Sequence, residues 1–152
     1  MHRLNLACLL MLLLSLGVMP LPAYADDPIG QIKTLSGTVT VTRGGASIKA
    51  GIGDHVMQSD EIVTGSDGAV GITFADNSMM SLGPDSRLAL DQFRFDATTH
   101  EGLFDSSLQK GTLAVKSGQI VRQTPLAMHI RTPAAVLGVS GTEFLVRADG
   151  KS

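Results

Sequence analysis

The chain contains no tryptophan, one tyrosine and one cysteine, and the two single residues, Tyr24 and Cys8, both fall within its first 25 positions. Without a second cysteine there is no disulfide and no thiolate metal site. Without Trp and Tyr in the body of the chain, the stacking platforms on which sugar-binding surfaces usually rest are missing. Charge of one sign is scarce too: 14 acids face 12 Lys and Arg, scattered rather than blocked. No basic stripe suggests a nucleic-acid partner. Sustained helical spacing is equally absent, since no stretch keeps apolar residues at i, i+3, i+4 for three turns between breakers.

What is present begins with a leader. His2 and Arg3 precede an apolar run from Leu4 to Leu16, followed by Pro20, Pro22 and the small-residue site Ala23-Tyr24-Ala25, the layout of a secretory signal peptide. An uncleaved anchor is the rival, but the run before Gly17 is shorter than the ~20 residues a spanning helix needs. Cys8 lies too early in the run for a lipoprotein site, and Asn5 stands where a lipobox has leucine. The expectation is cleavage after Ala25, a periplasmic or secreted product, and no stable membrane span after cleavage. Removing 25 of 152 residues leaves 127, the size of one ordinary domain that packs a single core without staples. Cys8 and Tyr24 leave with the leader, and the loss of Arg3 leaves 11 Lys and Arg.

From Ile29 onward short alternating runs are separated by Gly, Asn and Asp. In Gly37 to Arg43, Val39 and Val41 point one way and Thr38, Thr40 and Thr42 the other, the period of a half-buried strand. Gly44-Gly45 turns the chain and Ser47-Ile48-Lys49 returns, a hairpin. Further strands are predicted over 61–64, 69–74, 79–82, 87–90, 102–104, 112–116, 128–131 and 143–147, with 96–100 as a loop. Strand and turn alternate about every 8 to 12 residues, the cadence of a sandwich, barrel or short solenoid. The predicted fold is all-β, an antiparallel β-sandwich or β-roll of many short strands, in one domain over 26–152. No repeat declares a solenoid.

The stretch Gly138-Val139-Ser140-Gly141-Thr142 boxes a serine between glycines. A nucleophile elbow needs Gly-x-Ser-x-Gly at a strand-to-helix turn; here Thr142 occupies the second glycine's place, and Glu143-Phe144-Leu145-Val146 reads as strand. His129 as base and Asp149 as its orienting acid complete a triad only on paper, because nearness in sequence is not triad geometry. A turn for Ser140 and a solvated strand face for His129 are the simpler assignments.

Asp54, His55, Asp60 and Glu61 invite a metal, yet their spacing matches neither a zinc helix nor a calcium loop. Asp at such positions shapes turns by accepting backbone N–H bonds. Met79-Met80 suggests Cu(I), but neighbours on a strand point to opposite faces. No metal and no cofactor is expected.

The order of turns carries more information than any one of them. Gly37-Thr38-Val39, Gly51-Ile52-Gly53-Asp54-His55-Val56, Ile62-Val63-Thr64-Gly65, Ala69 to Ser78, Leu82-Gly83-Pro84-Asp85-Ser86, Leu108 to Gly111, Ile130-Arg131-Thr132-Pro133-Ala134-Ala135 and Gly141-Thr142-Glu143-Phe144 together resemble the FecR-like domain across residues 32–147. The resemblance implies a β-rich periplasmic domain whose last strands include the Ser140 turn. The best-known members regulate iron-uptake genes, with a cytoplasmic anti-sigma segment and membrane helix before this domain and a small receptor-contacting domain besides. Here only a leader precedes the domain and the sequence stops at Ser152, so the expectation is a stand-alone exported domain.

The expected function is non-catalytic: a periplasmic module binding a protein of the cell envelope, in signalling or regulation, through edge strands that can pair with a partner strand. The alternative is a structural or glycan-binding envelope module using strand faces rich in Ser, Thr and Asp; a serine hydrolase built on Ser140 and His129 is the third. Binding residues cannot be named from the motifs. Exposed polar positions near strand ends, Arg131, Glu143 and Arg147, are the candidates, set against their ordinary role on a solvated face.

Overall fold

A computed structural model describes residues 26–150 of the chain. The leader expected at residues 1–25, with its cleavage site after Ala25, lies outside the described residues. In order, the elements are β1 (Gly30–Ser36), β2 (Val39–Arg43), β3 (Ala46–Lys49), β4 (His55–Val56), β5 (Glu61–Thr64), β6 (Ala69–Phe74), β7 (Met79–Leu82), β8 (Arg87–Phe95), β9 (Gly102–Lys116), α1 (Gln119–Gln123), β10 (Met128–Arg131), β11 (Val136–Val139) and β12 (Glu143–Ala148). The fold is all-β, as the alternating runs predict.

Two layers share one strand. The first layer runs β4-β1-β6-β7-β9-β12 and the second β3-β2-β5-β8-β9-β10-β11. The first half of β9 pairs with β8 and with β10, while its second half pairs with β7 and β12. Within β9 the buried positions are Phe104, Ser106 and Leu108 in the first half, then Leu113 and Val115 in the second. The inward parity therefore switches from even to odd, which an uninterrupted strand cannot do. An irregularity in the pairing between Arg87 and Leu88 on the β8 side accompanies the switch, and Gly111 adopts φ +98 at the bend.

The bend is closed by Ser86. A Cβ at Gly111 would lie 2.1 Å from Ser86 Oγ and 2.4 Å from its Cα, while Ser86 Oγ accepts the Thr112 N–H at 3.0 Å. Folded over this bend, the two layers enclose one core. Phe104 at its centre meets Phe74 at 4.6 Å and Phe93 at 5.0 Å between ring centroids, both edge-on, the arrangement that aromatic quadrupoles favour. Thus one aromatic from the first layer and one from the second meet on the strand that both contain.

Besides β1, β4 and β11, which the alternation does not predict, and β8, which runs on past 90 to Phe95, the structure departs from the expected pattern in three places. The runs predicted at 102–104 and 112–116 are one strand of 15 residues, longer than the short strands expected. The β9–β10 pair is parallel within an otherwise antiparallel pairing scheme. The five-residue helix α1 buries Ile120 and Val121 and is held by Asp76, whose backbone C=O accepts the Gln119 N–H at 2.8 Å.

Gly111→Ala adds both a left-handed-side φ penalty and a collision with Ser86, so it destabilises the fold by about 3 kcal/mol. Gly44→Ala, at φ +57 with nothing near its missing Cβ, costs only about 1 kcal/mol. Urea unfolding midpoints of the two variants check the difference; equal losses would show that the contact with Ser86 is not what closes the bend.

Candidate functional site

The Ser140 segment is a turn between β11 and β12. It is tied down from the residue just past β9, where Ser117 Oγ donates to the Gly141 C=O at 2.8 Å and the Ser117 N–H donates to the Thr142 C=O at 2.8 Å. The chain leaves it as strand, so the strand-to-helix context of an elbow is missing. The paper triad does not assemble either. His129 Nδ1 bonds Asp105 Oδ1 at 2.8 Å, whereas Asp149 is exposed and lies 3.9 Å from Arg147 Nε.

Asp105 comes to His129 through the parallel register of β9 and β10, in which the two residues are direct partners. Arg131, two residues on and on the same face, reaches 4.0 Å from the other Asp105 oxygen. Beside this cluster Ser107 Oγ donates to Asp91 Oδ2 at 2.5 Å. Gln58, Asp91, Gln92, Asp105, Ser107 and Arg131 line a shallow polar cleft of about 490 Å³. Such a cleft presents hydrogen-bonding groups to a polar ligand, and His129 sits half-buried at its margin.

The three acids that suggested a metal are otherwise engaged, and the fourth residue, His55, is exposed. Asp54 Oδ2 accepts the Gly51 N–H at 2.7 Å, closing a turn as expected. Asp60 is fully buried; it accepts the Met57 N–H at 2.8 Å and a two-pronged bond from Arg43 Nε and Nη2 at 2.8 and 2.7 Å. The hydrogen bonds to Asp60 raise the Arg43 guanidinium above its ordinary pKa, against the opposing effect of burial. Glu61 faces Arg87 at 3.3 Å. Met80 is buried and Met79 exposed, so the two sulfurs diverge as strand geometry requires.

Arg43→Ala leaves the Asp60 carboxylate buried with one remaining N–H donor. The expected loss is about 2 to 3 kcal/mol, below that of a fully buried pair because Arg43 keeps part of its hydration. The double variant Arg43→Met with Asp60→Asn recovers most of it. Chemical denaturation checks both; a neutral Arg43→Ala would mean that the pair contributes nothing to the fold.

The remaining surface features gather at strand edges. Among the described residues β3, β4, β11 and β12 each border one strand only. Leu126, Val136, Leu137 and Leu145 are large apolar side chains left exposed on or beside β11 and β12. In β11 both Val136 and Leu137 are exposed although they face opposite ways, so this end of the β10–β11 hairpin overhangs the core. The polar candidates are placed at Arg131 on β10 and at Glu143 and Arg147 on β12, all exposed. The β12 pair shares one outward face with Leu145, while Arg131 lies apart in the Asp105 cluster. The selection of polar residues missed Leu137 and Leu145. Leu145 was signalled by its place between the inward Phe144 and Val146.

A family model described as FecR protein matches residues 60–152. The chain belongs to the FecR family. No curated protein and no solved structure matches it. The family is a signalling and regulatory one whose members are associated with the cell envelope. The FecR match starts just ahead of β5, leaving β1 to β4 outside it. Those strands nonetheless complete both layers, because β2 pairs with β5 and β1 pairs with β6. Among the described residues no helix is long and apolar enough to cross a membrane.

Proposed function

We propose that this FecR-family chain is a non-catalytic module of the periplasm that binds a protein of the cell envelope, in signalling or regulation, by adding a partner strand to β11. The observation that carries this reading is the overhanging hairpin. The Thr132 N–H donates to the Ala135 C=O at 2.8 Å, and the alternation of an antiparallel ladder then aims the Leu137 and Val139 backbone at β10 and that of Val136 and Gly138 away from it. Backbone groups pointing away from the sheet give a partner strand its hydrogen bonds, and flanking pockets or side chains give selectivity. Gly138 carries no side chain to hold that strand off, while Val136, Leu137 and Leu126 supply apolar contact on both sides.

The polar cleft beside Asp105 supports the second reading, an envelope module for cell-wall glycan or exported polysaccharide. Its amide, carboxylate and guanidinium groups suit sugar hydroxyls. The absence of Trp and Tyr beyond Tyr24 leaves it without a stacking surface, which ranks it second.

Crosslinking of the tagged full chain in its native host, followed by mass spectrometry, tests the reading. The expected product is one reproducible envelope protein bound to a chain that begins at Asp26, and its loss in Leu137→Lys with the variant still folded and exported. Undiminished capture by Leu137→Lys contradicts the β11 edge. Saturable pelleting with purified cell wall, without a protein partner, supports the glycan reading instead. A fluorophosphonate probe is expected to leave the folded protein unlabelled; labelling at Ser140 contradicts a non-catalytic module.

A further inference from the structure

The outer edge of β12 is independent of the β11 surface and has a different pattern. Glu143, Leu145 and Arg147 form its outward face, with Leu145 69% exposed. The Ser117 N–H bond to the Thr142 C=O fixes the ladder alternation, so residues 144, 146 and 148 bond to β9 and the backbone groups of Glu143, Leu145 and Arg147 point away from the sheet. A long apolar edge left open is a liability that native folds cover or charge. Here a leucine is flanked two residues on either side by opposite charges.

That spacing is self-complementary. When a second β12 runs antiparallel about a two-fold axis through Leu145, Leu145 meets its own copy, Glu143 faces Arg147 of the other chain, and Arg147 faces its Glu143. The three outward residues fall on hydrogen-bonding positions in this register, and Phe144 faces Val146 on the core side. Opposite charges directly across a strand pair stabilise it and like charges destabilise it. Lys116, which lies 3.6 Å from Glu143 on the neighbouring strand, extends the charge row, and Asp149, 3.9 Å from Arg147, borders its other end. On the β9 side Leu145 is neighboured by Ala114, with Met79 and Ser81 beyond it in an apolar groove, so these side chains lie on the side of β12 away from the open edge. The geometry points to a second copy of this chain as the occupant of the β12 edge, in an isologous dimer whose first layers join into one sheet across the axis.

Sedimentation velocity over a concentration series, on the protein purified after expression of the full chain, tests this. The unaltered chain is expected to dimerise, and Glu143→Arg or Arg147→Glu alone to raise the dimer Kd by at least about tenfold by setting like charges face to face twice. Mixing the two single variants restores the dimer, because each reversed position then faces its opposite. A monomer at all concentrations, a dimer indifferent to both reversals, or a mixture that stays monomeric overturns the proposal. Far-UV circular dichroism verifies that the variants fold; should either not, Leu145→Lys tests the same edge, and a dimer it leaves intact overturns the proposal equally. Loss of the β12 dimer with partner capture unchanged, or the reverse, separates this edge from the β11 surface.

Discussion

The two-sheet membership of β9 is the constraint on which the rest of the structure depends. A single strand is an interior strand of each layer, flanked on both sides, and its change of inward parity at Gly111 lets Leu108 and Leu113 both point into the same core. Ser86 makes the bend specific: its hydroxyl replaces a ladder partner for the Thr112 N–H where the strand leaves one sheet for the other. The three-phenylalanine contact then joins β6, β8 and β9 across the core. Hydrophobic burial along one shared strand couples the two layers, so neither has to be stable by itself, which suits a chain with no disulfide among its described residues.

Because one strand serves both layers, pairing spreads from β9 toward four separate edges. β3 and β4 occupy the far edges; at the near ones β12 lies beside β9 and β11 is one strand removed, beyond β10. Leu126, Val136, Leu137 and Leu145 leave apolar surface exposed at the near edges, as Ile48 and Ile52 do at the β3 side, while acids elsewhere are engaged by turns, by Arg43 and Arg87, by Ser107 and by His129. The polar groups near Ser140 and His129 are explained by the same geometry: a turn tied to Ser117, and a parallel register that puts Asp105 beside His129. The proposed strand pairings above use the two near edges, and the glycan reading uses the cleft beside Asp105.

Much of this was legible because period-2 alternation survives wherever one face is buried. Residues 61–64, 69–74 and 79–82 show it in full, as does Glu143–Ala148. It fails where geometry interrupts it. In β1 a register shift between Ile32 and Thr34 breaks the alternation; β4 has only two residues; β11 overhangs the core and so shows no buried face along most of its length. The unity of β9 was hidden for a related reason, since the parity switch at Lys110-Gly111-Thr112 reads as a gap between two strands. At the site, the turn around Ser140 followed from the missing second glycine and the strand after it. The Asp105–His129 and Arg43–Asp60 pairs did not follow, because residues 24 and 17 positions apart meet only once the register is known.

Native-state hydrogen exchange along β9 tests the central claim most directly. If one strand couples both layers, the hydrogen-bonded amides before and after Gly111 exchange with the same, near-global opening free energy, as members of one cooperative unit. Separate opening energies for the two halves of β9, with β8 and β10 following one and β7 and β12 the other, would contradict it and describe two sheets that merely touch.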